Sequence, residues 1–192
     1  RAPVSAIEGV RAEKVGNPDI NVGVGHPEAD VAELRQAGAV VSVLGAVEDV
    51  PDSLFVGDTA LCVPEGAVVR RPGAPGRFGE SMAMAPHLKD LYSDVRHLAG
   101  PGFIEGGDIL TTESEILVGK SDRTNSAGIE ELQRAVADWG YTVREVKTPP
   151  GVLHFKSDCS LLDGSTILST PRLRATGCFE GYTVIDVAEG EE

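Results

Sequence analysis

Gly57-Asp58-Thr59-Ala60-Leu61-Cys62, Gly107-Asp108-Ile109-Leu110 and Ser157-Asp158-Cys159-Ser160-Leu161-Leu162 share one pattern. Their aspartates stand at 58, 108 and 158, a spacing of 50 each time. Each aspartate leads into a short apolar run, a turn and a second apolar run. The turns are Pro64-Glu65-Gly66, Thr112-Glu113-Ser114 and Asp163-Gly164, and the second runs are Ala67-Val68-Val69, Ile116-Leu117-Val118 and Thr166-Ile167-Leu168. Asp-Gly between apolar runs is a strong hairpin signal, and the other two turns are built from loop residues.

A connecting stretch and a further apolar strand follow each hairpin. In the second unit the connection reads as a helix capped by Asn125 or Ser126, with Ile129, Leu132, Val136 and Trp139 at helical spacing and Gly140 as its stop. Tyr141 to Val146 is the strand after it. In the first unit a helix is predicted over Glu80 to Leu91, started or broken by Pro86, before a strand over Val95 to Leu98. The third connection, Arg172 to Gly181, is shorter and precedes a strand over Tyr182 to Val187. Upstream, Pro27 to Ala37 reads as a helix and Ala39 to Leu44 as a strand, the tail of one more unit. A two-strand hairpin, a helix and a further strand, repeated at this period, point to a circular array. Asp58, Asp108 and Asp158 then share one end of a central channel; each taken alone reads equally well as a turn former.

The chain has 192 residues, 41% of them hydrophobic and 24% charged, which is a globular balance. Thirty acidic against 17 basic residues leave a net charge of −13. That sign repels phosphate backbones and anionic membrane surfaces, and so weighs against nucleic acid or lipid as partner. No apolar run approaches the roughly 20 residues of a membrane helix. Cys62, Cys159 and Cys178 form no CxxC pair, which argues against a disulfide framework or structural zinc and for a reducing cytoplasm. Cys62 and Cys159 lie in hairpin strands and read as small core residues. The chain stops directly after a strand-like run and reads as part of something longer.

His26, in a loop before a proline, and His87 and His97 read as solvated. His154 lies in a strand-like stretch four residues before Asp158, much as Glu105 stands three before Asp108. Neighbouring units therefore aim an imidazole and a carboxylate at the same channel, a pairing that supports acid–base chemistry. Read singly, a strand histidine such as His154 is more often structural than catalytic, and Glu105 reads equally well as a surface turn carboxylate. Two glycines after Glu105 leave room beside the acid. Two carboxylates, Glu105 with one such as Asp58, match the paired N–H donors of a guanidinium. Arg77 and Arg123, in loops after the hairpins, can clamp a carboxylate or can be ordinary surface arginines.

Pro51-Asp52-Ser53-Leu54-Phe55-Val56-Gly57-Asp58, Arg71-Pro72-Gly73-Ala74, Glu105-Gly106-Gly107-Asp108, Arg123-Thr124-Asn125 and Leu153-His154-Phe155-Lys156-Ser157 occur in the same order in the dimethylarginine dimethylaminohydrolases. The chain resembles that family over most of its length. The resemblance implies an α/β fold, the guanidine-modifying pentein β/α-propeller of ββαβ units with pseudo-fivefold symmetry, here lacking its last unit. Residues 1–192 would form one partial domain, with units near 1–50, 51–100, 101–150 and 151–192. It implies a cysteine thiolate that attacks the guanidinium carbon of a methylated arginine, His154 as acid and then base, and release of citrulline with methylamine or dimethylamine. Glu105 and Asp58 would hold the guanidinium, Arg77 and Arg123 the substrate carboxylate. Asp52 would be a further pocket acid, and Val10 would touch the amino-acid end.

The family's nucleophile lies near its C-terminus, and none of the three cysteines matches its motif, so this stretch alone is expected to be inactive. Gly57 stands where the family usually has an acid, which leaves the exact guanidino substrate open. An arginine deiminase or amidinotransferase-like relative, or a non-catalytic propeller that binds a partner, are the alternatives. No metal or organic cofactor is implied. The expected partner is a small molecule, methylated arginine or arginine, and a homodimer is compatible with the sequence.

Overall fold

The computed structural model describes residues 3–8, 20–113, 115–188 and 190. Among these residues nine strands form three separate three-stranded sheets. The first holds β1 (Ala60–Val63), β2 (Gly66–Val69) and β3 (Val95–His97). The second holds β4 (Ile109–Thr111), β5 (Glu115–Lys120) and β6 (Thr142–Lys147). The third holds β7 (Cys159–Asp163), β8 (Thr166–Ser169) and β9 (Thr183–Asp186). In each sheet the middle strand pairs antiparallel with its hairpin partner and parallel with the third strand. A parallel neighbour cannot be reached by a tight turn, so each unit needs a crossover. The crossovers carry α2 (Phe78–Lys89), α3 (Ser126–Val136) and the single turn α4 (Pro171–Arg174).

The local signals explain α3 well. The Asn125 side chain accepts from the Gly128 N–H at 2.9 Å and caps the helix. Ile129, Leu132 and Val136 are buried on one face. Gly140, at φ +92°, ends the following turn in the left-handed region that a side chain disfavours. α2 starts two residues before the predicted helix and keeps Pro86 inside it.

Two expectations near the N-terminus are corrected. α1 runs from Ile20 to Gln36, so His26-Pro27 belongs to a helix and not to a loop. Residues 39–44 form no strand. A strand exists only within a ladder, and no ladder among the described residues includes this segment; Val40 is fully exposed.

The core crosses unit boundaries. Ile116 and Val118 of β5 join Leu61, Val63 and Val68 of the first sheet and Leu132 of α3 in one cluster. Leu117, on the other face of the same strand, joins Phe155, Ile167 and Leu173 in a second. Burial on both faces makes β5 a continuous apolar run, and it packs consecutive units side by side.

Candidate active site

A single turn of 3-10 helix precedes each hairpin: Val56–Asp58, Gly106–Asp108 and Phe155–Ser157. The middle turn touches both others, which gathers the aspartate positions at one end of the strands. Their roles diverge. Asp108 is fully buried and accepts from the Ser121 and Thr124 hydroxyls at 2.7 and 2.6 Å and from the Phe155 N–H at 2.9 Å. Burial raises its pKa, but the imidazole of His154 and these donors outweigh that and hold it below the usual carboxylate range. Asp158 is likewise taken up, by Thr170 and by two bonds from Arg172. Asp58 is half-buried, and Arg77 Nη1 donates to it at 3.1 Å.

Glu105 is fully buried and sits at the centre of the site. Its Oε1 accepts from the Ala74 N–H at 3.2 Å. Its Oε2 lies 3.4 Å from Arg123 Nη1, 3.6 Å from His154 Nε2 and 4.0 Å from Arg77 Nη1. His154 is not in a strand: its extended backbone leads into the Phe155–Ser157 turn. Its buried Nδ1 faces Asp108 Oδ1 at 3.5 Å, at the long limit of a hydrogen bond. The imidazole thus stands between two buried carboxylates from the neighbouring unit.

Both glycines after Glu105 are needed for this approach. A Cβ at Gly107 would sit 2.6 Å from His154 Cγ, and one at Gly106 would run into the Arg70 guanidinium and the Gly57 carbonyl. Arg70 is buried and donates to the carbonyls of Gly57 and Ala60, which fixes the turn carrying Asp58. Burial lowers its pKa to about 10.

Arg77 is no surface arginine. It ends a 3-10 turn, Pro75–Arg77, and is buried. Nε and Nη2 donate to the two oxygens of Glu80 at 2.8 and 2.7 Å. Burial opposes its charge, but the bonds to Glu80 and Asp58 outweigh it and hold the pKa above the ordinary arginine range. The Phe55 ring lies 5.8 Å below the guanidinium. Asp52 is buried in the same quarter: its charge, like that of Asp58, acts on Glu80. Val10 lies outside the described residues.

The structure therefore brings His154, Glu105, Asp58, Arg77 and Arg123 together. The sequence reading missed Glu80, Arg70 and Thr124. Only Glu80 carried a signal, the i,i+3 spacing from Arg77 that puts both on one side of a helical turn. The cysteines also need correction. Cys159 is buried, but Cys62 is exposed, because Leu61 and Val63 point inward and alternation turns Cys62 out. It lines a cavity of about 580 Å³ at the hairpin-turn end, away from His154. Among the described residues no cluster of His, Cys, Asp or Glu is placed to hold a metal ion, and no helix is long and apolar enough to cross a membrane.

Residues 29–185 match the family described as arginine deiminase. The chain belongs to the arginine deiminase family. Within that family its likeness runs to the dimethylarginine dimethylaminohydrolases. That of Pseudomonas aeruginosa is 27% identical over 97% of this chain and 74% of its own length. That of Streptomyces coelicolor is 34% identical over 70% of this chain and 56% of its own length. An Aeropyrum pernix protein is 34% identical over 82% of this chain, which spans 58% of it. The chain thus spans little more than half the length of two of these relatives. Among solved structures, a cysteine-to-serine mutant of the P. aeruginosa enzyme complexed with citrulline superposes with a TM-score of 0.91 at 27% identity, over 98% of this chain and 74% of that one. A Microseira wollei amidinotransferase, at 17% identity and a TM-score of 0.76 over 91% of this chain and 65% of that one, shares the fold alone. The three ββαβ units are pentein propeller units.

Proposed function

We propose that the protein takes part in hydrolysis of methylated arginine to citrulline and methylamine or dimethylamine. One observation carries the reading: buried Glu105 lies 3.6 Å from His154 Nε2, and Arg77 Nη1 stands between Glu105 and half-buried Asp58, at 4.0 and 3.1 Å. Two carboxylates suit a planar guanidinium, and an imidazole beside them suits proton transfer at one of its nitrogens. The likeness to the P. aeruginosa enzyme, solved with citrulline, supports the same chemistry.

The proposed steps balance as follows. A thiolate adds to the guanidinium carbon. The bond to the methylated nitrogen breaks as His154 delivers a proton, and the amine leaves. Water then adds to the thiouronium carbon while His154 takes its proton. The carbon–sulfur bond breaks and the hydroxyl proton passes to the released amine through solvent, which returns the thiolate and frees citrulline. Glu105 and Asp58 hold the guanidinium, and Arg77 and Arg123 turn toward the substrate carboxylate. Asp52 adds negative charge behind them, and Val10 contacts the amino-acid end.

The three cysteines are poor candidates for the thiolate. Cys159 is buried and its thiol is pushed up to about 12 by burial. Burial also raises Cys178. Cys62 faces the hairpin-turn cavity. We therefore place the nucleophile in a further propeller unit, with residues 1–192 alone inactive. Arginine deimination is the second reading, favoured by the family match itself. Incubation of the protein at its full encoded length with asymmetric dimethylarginine and with arginine, scored for citrulline and released amine, separates the two. No citrulline from either substrate rejects both.

A further inference from the structure

Arg77 and Arg123 do not stand apart from the site's carboxylates. Their Nη1 atoms both converge on Glu105 Oε2, and Arg77 Nη1 also holds Asp58. The protein's own guanidinium thus fills the place proposed above for the guest's. A guest can enter only by exchange: its guanidinium takes Asp58 and Glu105, and its carboxylate takes the freed arginine donors.

For exchange to work, Arg77 must release these acids without leaving the site or sinking deeper among them. The geometry points to Glu80 as the positioning residue that secures this. It grips Nε and Nη2 together, at 2.8 and 2.7 Å, so that Nη1 alone is free to pass between Asp58 and Glu105 and a guest carboxylate. Paired bonds fix the plane of a guanidinium as a single bond cannot. Glu80 is itself buried in the first turn of α2, and Arg77 immediately precedes that helix. The tether is therefore short and anchored in regular structure. No atom of Glu80 needs to touch the guest.

This inference rests on the reading of the site as one for guanidino amino acids. The test is binding of Nω-methyl-L-arginine to the purified protein by calorimetry, in a cycle of Glu80→Gln and Arg77→Lys. A lysine side chain cannot form the two-point tether. Glu80→Gln is expected to weaken binding about tenfold or more when Arg77 is intact, and less than about twofold in the Arg77→Lys background. Equal losses in both backgrounds would mean that Glu80 supports only the fold, and overturn the inference while the proposed function stands. A wild-type protein that binds neither this ligand nor L-arginine sinks both. Independently of any ligand, the Nε–H of Arg77 gives a slowly exchanging NMR signal that Glu80→Gln abolishes; its survival overturns the tether. Where Glu80→Gln does not fold, Glu80→Asp, one methylene too short to grip both nitrogens, replaces it.

Discussion

Gly107→Ala tests the placement of the imidazole. The new Cβ would stand 2.6 Å from His154 Cγ, 2.8 Å from Cδ2 and 2.9 Å from Cβ. Ordinary carbon contacts lie near 3.5–4.0 Å, so the ring must retreat by about 1 Å. The backbone of the segment cannot move with it. The Phe155 N–H is held by Asp108 at 2.9 Å, and the His154 carbonyl accepts from Ser157 at 3.0 Å. The side chain must rotate instead, which lengthens the 3.6 Å approach of Nε2 to Glu105. Overpacking of this kind costs about 1–3 kcal/mol of stability. An imidazole misplaced by about 1 Å costs on the order of 100-fold in turnover. The assay is kcat on dimethylarginine in the full-length protein, with His154 ring resonances followed by NMR. Gly45→Ala is the control, because it lies outside the site and a Cβ there meets nothing within 4 Å. Turnover within twofold of wild type and unmoved ring signals in Gly107→Ala would refute the placement.

Asp108 has a depressed pKa in the folded state, so its contribution is present above the ordinary carboxylate pKa of about 4 and is lost as pH falls below that. Asp108→Asn should lower stability at pH 7 by about 2 kcal/mol and flatten the acid limb of a melting-temperature profile below about pH 4; an acid limb of unchanged slope contradicts the network. Thiol labelling at pH 8 should find Cys62 fast, Cys178 slower and Cys159 silent until the protein unfolds, given their exposure and the upward shift of the buried thiol. Labelling of Cys159 as quickly as Cys62 would show that β7 opens readily.

The repeat was legible because each unit is written in local signals: an aspartate turn, two short apolar runs and a crossover, with side-chain caps on α3 and α4 but none on α2. Asn125 caps α3 through a neighbour three residues away, and such short-range chemistry survives in any tertiary setting. The convergence of Glu105 and His154 was legible for a different reason, since equal spacing places equivalent residues of successive units at the same end of the array. What stayed hidden depends on long side chains that reach between segments. Arg77 spans to Asp58 across 19 residues, and Arg70 to the Gly57 carbonyl across 13. No periodicity encodes such reach, so Arg70 reads only as a charge at the end of a strand. Residues 39–44 failed for the complementary reason: their β-branched composition is suited to a strand, but pairing needs a partner that composition cannot report.

On the proposed function, the buried carboxylate of Glu105 predicts a preference for guanidino compounds that also carry a carboxylate. Removing a carboxylate wholly from water costs several kcal/mol unless cations and N–H donors replace the lost solvent. Arg77, Arg123 and the Ala74 N–H fill that role here. A guest guanidinium therefore gains only the difference between its own contacts and those that it displaces. A simple guanidinium cation strands Arg77 Nη1 and gains little by entering. A guest that carries a carboxylate as well satisfies the arginine that it evicts, and the exchange becomes favourable only for that class. The net charge of −13 adds attraction for the cationic end during approach but does not distinguish the two classes. Selection between them lies in the arginines, and so in the residue that tethers one of them.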